Sequence, residues 1–190
     1  MQIVVASVLE KILLGVVKMR PTKKLVLCGI FSSIGFGLIA LGSLLETLNL
    51  AIAYIVSLIV LFIITELDWK YALGTYLVIS TLLILILGFF NFASFSFVFY
   101  IGHMPIARYF FDKLPKLWSW VCKIVYGNIL LLSSYFAFKN LLFTEAYTLP
   151  LLIAMFVLAN LVYILGFLLY NSLVRIYTRR FREKIKKYLQ

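Results

Sequence analysis

The sequence predicts an all-α polytopic membrane protein: a six-transmembrane-helix bundle with both termini cytoplasmic and a basic amphipathic helix at each end. Composition is the first observation behind this. Of 190 residues, 64% are hydrophobic and 13% charged, against roughly 45–50% and 25% in an ordinary soluble domain. The second is the spacing of the charges, which leaves long uncharged runs at 25–45, 47–65, 71–107, 124–138 and 146–174. A spanning helix needs about 20 mainly apolar residues, so the third run has room for two. The third observation is where lysine and arginine fall, because both accumulate in cytoplasmic loops.

Residues 1–20 come first. "MQIVVASVLEKILLGVVKM" is apolar, yet a period of 3.6 gathers Ser7, Glu10, Lys11 and Lys18 on one side. That pattern fits a helix lying in the inner interface. A signal peptide would carry its charges before the apolar stretch, and here the basic cluster comes last. Six spans are expected over 25–170, at 25–45, 48–65, 71–90, 92–107, 117–138 and 149–170. "GFFNFAS" divides the long third run, since asparagine beside glycine makes an interfacial turn. The fourth span is the shortest, and a re-entrant hairpin is its rival.

Lys11, Lys18, Arg20, Lys23 and Lys24 precede span one; Lys70 lies between spans two and three; Arg108, Lys113 and Lys116 lie between four and five. The tail, 171–190, adds "VRIYTRRFREKIKKYLQ". All of these fall on one side of a six-span chain, and only Lys139 falls on the other. The net charge of +11 then reflects orientation and attraction to anionic lipid, with no nucleic acid implied. The whole chain reads as a single integral membrane domain in a cell membrane, the prokaryotic plasma membrane.

Chemistry is sparse. His103 is the sole histidine, with no cysteine or histidine at ligand spacing, so no metal or other cofactor is expected. It sits in "YIGHMPIARYFFDKLPK", whose Gly102 and Pro105 mark the point where span four meets the cytoplasm. Cys28 and Cys122 lie at the reducing side and suggest no disulfide. No Asp, Glu, Lys or Arg stands in mid-span, and no acid, base and nucleophile gather, so neither an enzyme nor a proton-driven pump is expected.

Polar residues in the spans are more telling. Asn128 and Asn160 both fall near the midplane of spans five and six, antiparallel neighbours. They either hydrogen-bond to each other as a structural clamp or contact a ligand. In span one, Gly29, Ser33 and Gly37 recur every four residues, and Gly35 and Gly42 make a second small face. Such faces let backbones approach closely, within the bundle or against a partner subunit. An outer pocket would draw on Glu46, Asn49, Asn91, Ser94, Lys139, Asn140, Glu145 and Tyr147, with walls from Phe89, Phe90, Phe92, Phe95 and Phe99.

"RPTKKLVLCGIFSSIGFGLIALGSLL", basic residues followed at once by a small-residue span, resembles the start of the substrate-binding S components of energy-coupling-factor (ECF) transporters. The closing "ANLVYILGFLLYNSLVRIY" and the basic inner termini are similar to the same class. The resemblance implies a membrane-embedded subunit for vitamin or other micronutrient uptake, energised by partner ATPases through a transmembrane coupling subunit. It also implies that the small-residue face of span one docks on that coupling subunit and that ligand binds near the outer surface. Gly and Ser stand here where alanines are usual, and the N-terminal Met-His of a nickel or cobalt member is absent. A scaffold of the MreD cell-shape type, also a small basic-ended bundle, is the alternative, and a small lipid-handling protein is a third reading.

Overall fold

The computed structural model describes residues 21–45, 48–89, 91–142 and 149–180, and every regular element among them is helical. The interfacial helix expected over 1–20 lies outside the described residues, as do Glu46, Phe90, Glu145, Tyr147 and the tail from 181 onward.

Helices α1 (Pro21–Ser43), α2 (Asn49–Glu66) and α3 (Trp69–Leu87) pack on one another as the body of the bundle. Pro21 opens α1 at a position where a backbone N–H has no intrahelical partner to lose. Asp68 caps α3, its carboxylate accepting from the Trp69 N–H at 2.7 Å. Gly88 ends that helix at φ 86°, a conformation costly for any residue with a Cβ. The chain therefore reverses within the stretch where the sequence suggested a turn.

The return passage is broken. Asn91 caps the four-residue α4 (Phe92–Phe95), which runs straight into a π-helical turn (Ser96–Ile101). Within it the Gly102 N–H donates to Phe97 O, five residues back, at 2.8 Å. Helix α5 (Met104–Phe111) then starts with Pro105 in its first turn. Where an inner loop was expected after Pro105, helix continues to Phe111, with Ile101, Met104, Pro105 and Ile106 buried. Proline does block the incoming helix, but it is equally suited to begin the next one.

Helices α6 (Lys116–Leu142) and α7 (Leu149–Arg180) complete the described chain. At 1.5 Å per residue α7 is about 48 Å long, and 171–180, expected as part of a separate tail, continue it without a break.

Aromatic and cation contacts knit one end of the bundle. Lys24 Nζ lies 5.4 Å from the Tyr71 ring, Phe62 packs edge-on against both Phe31 and Tyr177, and Trp69 meets Phe110 at 5.4 Å. The start of α1, the end of α2, the start of α3, the end of α5 and the end of α7 therefore meet there. The described basic residues flanking these helices collect at this basic end. At the opposite end Gly42 lies against Ile52, and Ser94 Oγ donates to Leu83 O at 3.4 Å.

Four helical stretches among the described residues are long and apolar enough to cross a membrane: Pro21–Ser43, Asn49–Glu66, Trp69–Leu87 and Phe156–Arg179. Polarity is also inverted relative to a soluble bundle. Leu25, Ile34, Leu85, Ile129 and Leu161 face outward, while Ser32, Ser57, Thr75, Ser80, Ser94 and Ser96 are buried. Both features are compatible with a membrane location.

With lipid as solvent there is little hydrophobic drive between helices, so close backbone approach carries the packing. A Cβ built on Gly35 would lie 2.8 Å from Ile79 Cδ1 and 3.0 Å from Val56 Cγ1, whereas one on Gly37 meets nothing within 4 Å. Gly35→Leu is therefore expected to destabilise the bundle by about 1–3 kcal/mol through overpacking. Gly37→Ala should be neutral or stabilising by up to about 1 kcal/mol through helix propensity. Unfolding temperatures of the two variants in detergent check the contrast.

Candidate functional site

Three helix faces converge on an open cavity of about 430 Å³ at the basic end. Arg108 and Asp112 stand four residues apart on α5, one turn of helix, so both side chains reach the same side. On α6, Lys116, Ser119, Trp120 and Lys123 follow the three-and-four spacing of a single face, and on α7 Leu168, Asn171, Ser172 and Arg175 do the same.

The Asp112 carboxylate holds this corner together. Its Oδ2 lies 3.1 Å from Arg108 Nε and its Oδ1 2.5 Å from Lys123 Nζ. Arg108 Nε also donates to Asn171 Oδ1 at 2.5 Å, which brings α7 into the network. Burial lowers the Arg108 guanidinium below its ordinary range, and the adjacent Asp112 charge opposes that shift. Lys123 is only 2% exposed, with its ammonium over the rings of Trp120 at 5.2 Å and Phe167 at 5.4 Å. Sequence reasoning missed Lys123 as a site residue. Its place inside the expected fifth span, on the same helix face as Lys116 and Ser119, was the available signal.

A second polar group fills the interior around the π-turn. That turn releases the Val98 carbonyl from the helical ladder; it accepts from Tyr76 OH at 2.8 Å and from the His103 side chain. The imidazole lies between Tyr76 and Tyr126, at 6.1 and 5.6 Å, and its Nε2 is buried without a hydrogen-bond partner among the described residues. Nearby, Ser57 Oγ and Tyr170 OH share a hydrogen bond at 2.5 Å, joining α2 to α7. His103 thus braces a helix break. Tyr163, Phe167 and Tyr170 recur at helical spacing along α7 and are all buried.

The residues expected to line an outer pocket fare unevenly. Asn91 is committed to its own helix, Oδ1 accepting from Ala93 N–H at 2.9 Å and Ser94 N–H at 3.5 Å. Asn49 opens α2 and is 7% exposed, with a buried Oδ1 that has no hydrogen-bond partner among the described residues. Phe89, Phe95 and Phe99 pack on one another, Phe95 and Phe99 stacked at 4.9 Å, while Phe92 faces outward. Lys139 and Asn140 fall in the last turns of α6, their side chains outside the description, and Glu46 and Glu145 lie outside the described residues.

Asn128 and Asn160 are brought together. Asn160 Nδ2 donates to Asn128 Oδ1 at 3.1 Å, and each amide also donates to the carbonyl four residues before it. Gly29 and Gly37 have open space where a Cβ would stand, and the exposed Ser33 turns its hydroxyl back onto Gly29 O at 3.0 Å. Of the two small faces of α1, the bundle uses Gly35 and Gly42.

Two stability outcomes follow from these contacts. Asp112→Asn strands the Lys123 ammonium and should cost about 2 kcal/mol, less than the roughly 3–5 kcal/mol of a fully enclosed pair because Asp112 is 35% exposed. The loss should appear as a drop of about 4–8 °C in unfolding temperature, most of it recovered by adding Lys123→Met. A double-mutant cycle on Asn128→Leu and Asn160→Leu should return a coupling of about 0.6–1.7 kcal/mol.

No family model, no curated protein and no solved structure matches this chain.

Proposed function

We propose that this chain is the substrate-binding subunit of a micronutrient uptake transporter of the ECF type, non-enzymatic itself and energised by partner ATPases through a transmembrane coupling subunit. It sits in a prokaryotic plasma membrane among lipids, with six spans and both termini in the cytoplasm. Six passages along the bundle support the span count once the broken α4–α5 segment and α6 are included. Collection of the described basic residues other than Lys139 at one end supports the orientation.

The observation that carries the reading is the asymmetry of α1. Its Gly35 and Gly42 face is filled by Ile79, Val56 and Ile52, while the Gly29, Ser33, Gly37 face, the one that the resemblance assigns to docking, stays open. Spaced glycines on a lipid-exposed face confer no advantage in helix propensity, and they do permit a second backbone to approach. Asn49, with its unpartnered buried oxygen, is the described residue best placed for a ligand at the opposite end; Glu46, Lys139 and Glu145 are the further candidates there.

The scaffold reading of the MreD type has its own observation. Asn91 is consumed as a helix cap and the phenylalanines stack on each other, which leaves fewer groups to hold a solute.

Three experiments test the proposal. Ser33→Leu should abolish co-purification of a coupling subunit while the unfolding temperature of the isolated chain stays within about 2 °C of wild type; a collapsed chain would instead make that face an internal one. Cysteines at Glu46, Asn91 and Glu145 should react with an impermeant thiol reagent from outside, and those at Asp68 and Lys113 should not. A screen of vitamins, nucleobases and amino acids should find a compound that raises the unfolding temperature in a concentration-dependent way, an effect lost in Asn49→Ala, Lys139→Ala or Glu145→Ala. Asn91→Ala is a poor probe, since losing the cap alone costs about 1 kcal/mol.

A further inference from the structure

The cavity at the basic end carries an unbalanced charge. Lys116, Lys123 and Arg175 line it, and Asp112 is the one carboxylate among its described lining residues. That carboxylate is already shared between Lys123 and Arg108. The described lining residues thus carry a net charge of +2, three cations against one carboxylate, around a single cleft.

An ordinary basic rim on a membrane protein consists of long side chains that snorkel into water, each charge solvated separately. Lys116 and Arg175 are exposed and could be read that way. Lys123 cannot, being almost wholly enclosed beneath the cavity floor and fixed by Asp112 and two aromatic rings. Like charges held this close in partly desolvated surroundings repel one another, and an anion entering between them removes that repulsion. Hydroxyl donors complete the set: Ser119 is buried on the α6 wall and Ser172 stands on the α7 wall.

The flanks of the cleft are apolar. Leu114 and Leu168 are exposed at its edges, and Leu117 and Trp118 project from the first turn of α6. A polar floor ringed with cations and opening sideways between apolar helix faces suits an anionic head attached to hydrocarbon. A volume of about 430 Å³ falls within the roughly 300–1,000 Å³ of small-ligand pockets.

We propose that this cavity between α5, α6 and α7 binds a phosphate-bearing anion, held by Lys116 and Arg175 at its mouth, by the hydroxyls of Ser119 and Ser172 on its walls and by the field of Lys123 beneath. The same chemistry is offered by an anionic phospholipid headgroup and by a soluble phosphate. The proposal stands independently of the uptake reading, since it concerns the opposite end of the bundle and needs no transported solute.

The test uses the full chain in nanodiscs of phosphatidylcholine, with either 20 mol% phosphatidylglycerol or millimolar inorganic phosphate added. Two double variants are compared with wild type: Lys116→Gln/Arg175→Gln at the cavity, and Lys70→Gln/Lys113→Gln, which removes equal charge from the same end outside it. Phosphatidylglycerol is expected to raise the wild-type unfolding temperature by about 4 °C, an effect lost in the cavity variant and kept in the control variant. The same pattern with inorganic phosphate would also support the site and identify a soluble ligand as its occupant. If neither probe stabilises wild type, or if both double variants lose the effect equally, the cavity is not a binding site and the proposal is overturned.

Discussion

A single carboxylate shared by two cations decides how the second half of this molecule joins the first. Helices α1 to α3 pack by close approach, with Gly35 and Gly42 admitting Ile79 and Ile52. The α6–α7 pair meets that body at Gly166 of α7, where Tyr54 of α2 and Met104 of α5 approach closely, and otherwise largely through α5. Asp112 draws Lys123 of α6 against α5, and Arg108 reaches Asn171 of α7 from the same turn. A buried charge needs counter-ions and hydrogen bonds in place of water, and these side chains supply them to one another. Ser57 with Tyr170, and Phe62 with Tyr177, close the remaining seam between α2 and α7.

Much of the architecture is legible from composition because a bilayer imposes length and polarity together. Long uncharged runs could only be helices, and their expected bounds at 48–65 and 117–138 differ from α2 and α6 by a few residues. The Asn128–Asn160 pairing was also readable, since amides at equal depth on antiparallel neighbours have few other partners. Less visible was anything decided by rotation about a helix axis. Small residues mark both faces of α1 equally, and only the packing shows that Gly35 faces Ile79 while Gly37 faces open space. Asn91 looked like a pocket residue because an exposed amide and an N-cap read alike until the backbone after it is known.

Lys123 and His103 illustrate the opposite error. His103, conspicuous as the sole histidine, serves to satisfy a carbonyl freed by a helix break. Lys123, inconspicuous among eighteen lysines and arginines, is the one sealed inside the protein among those whose burial is described, and it has a counter-ion. Rarity of a residue type says little about its burden. What singles out a group is the free energy of placing it where it stands, and for Lys123 that depends on neighbours drawn from three helices.

The π-helical turn at Ser96–Ile101 acts on all of this at a distance. Each residue of an α-helix advances the azimuth by about 100°, so the wider turn, together with the break at Gly102 and His103, offsets the angular phase of everything that follows. Arg108 and Asp112 point toward α6 and α7 because of that offset. A regular helix through the same segment would give those two side chains a different azimuth. The irregular turn therefore works as an indexing element, setting the clock position of a charge cluster further along the chain.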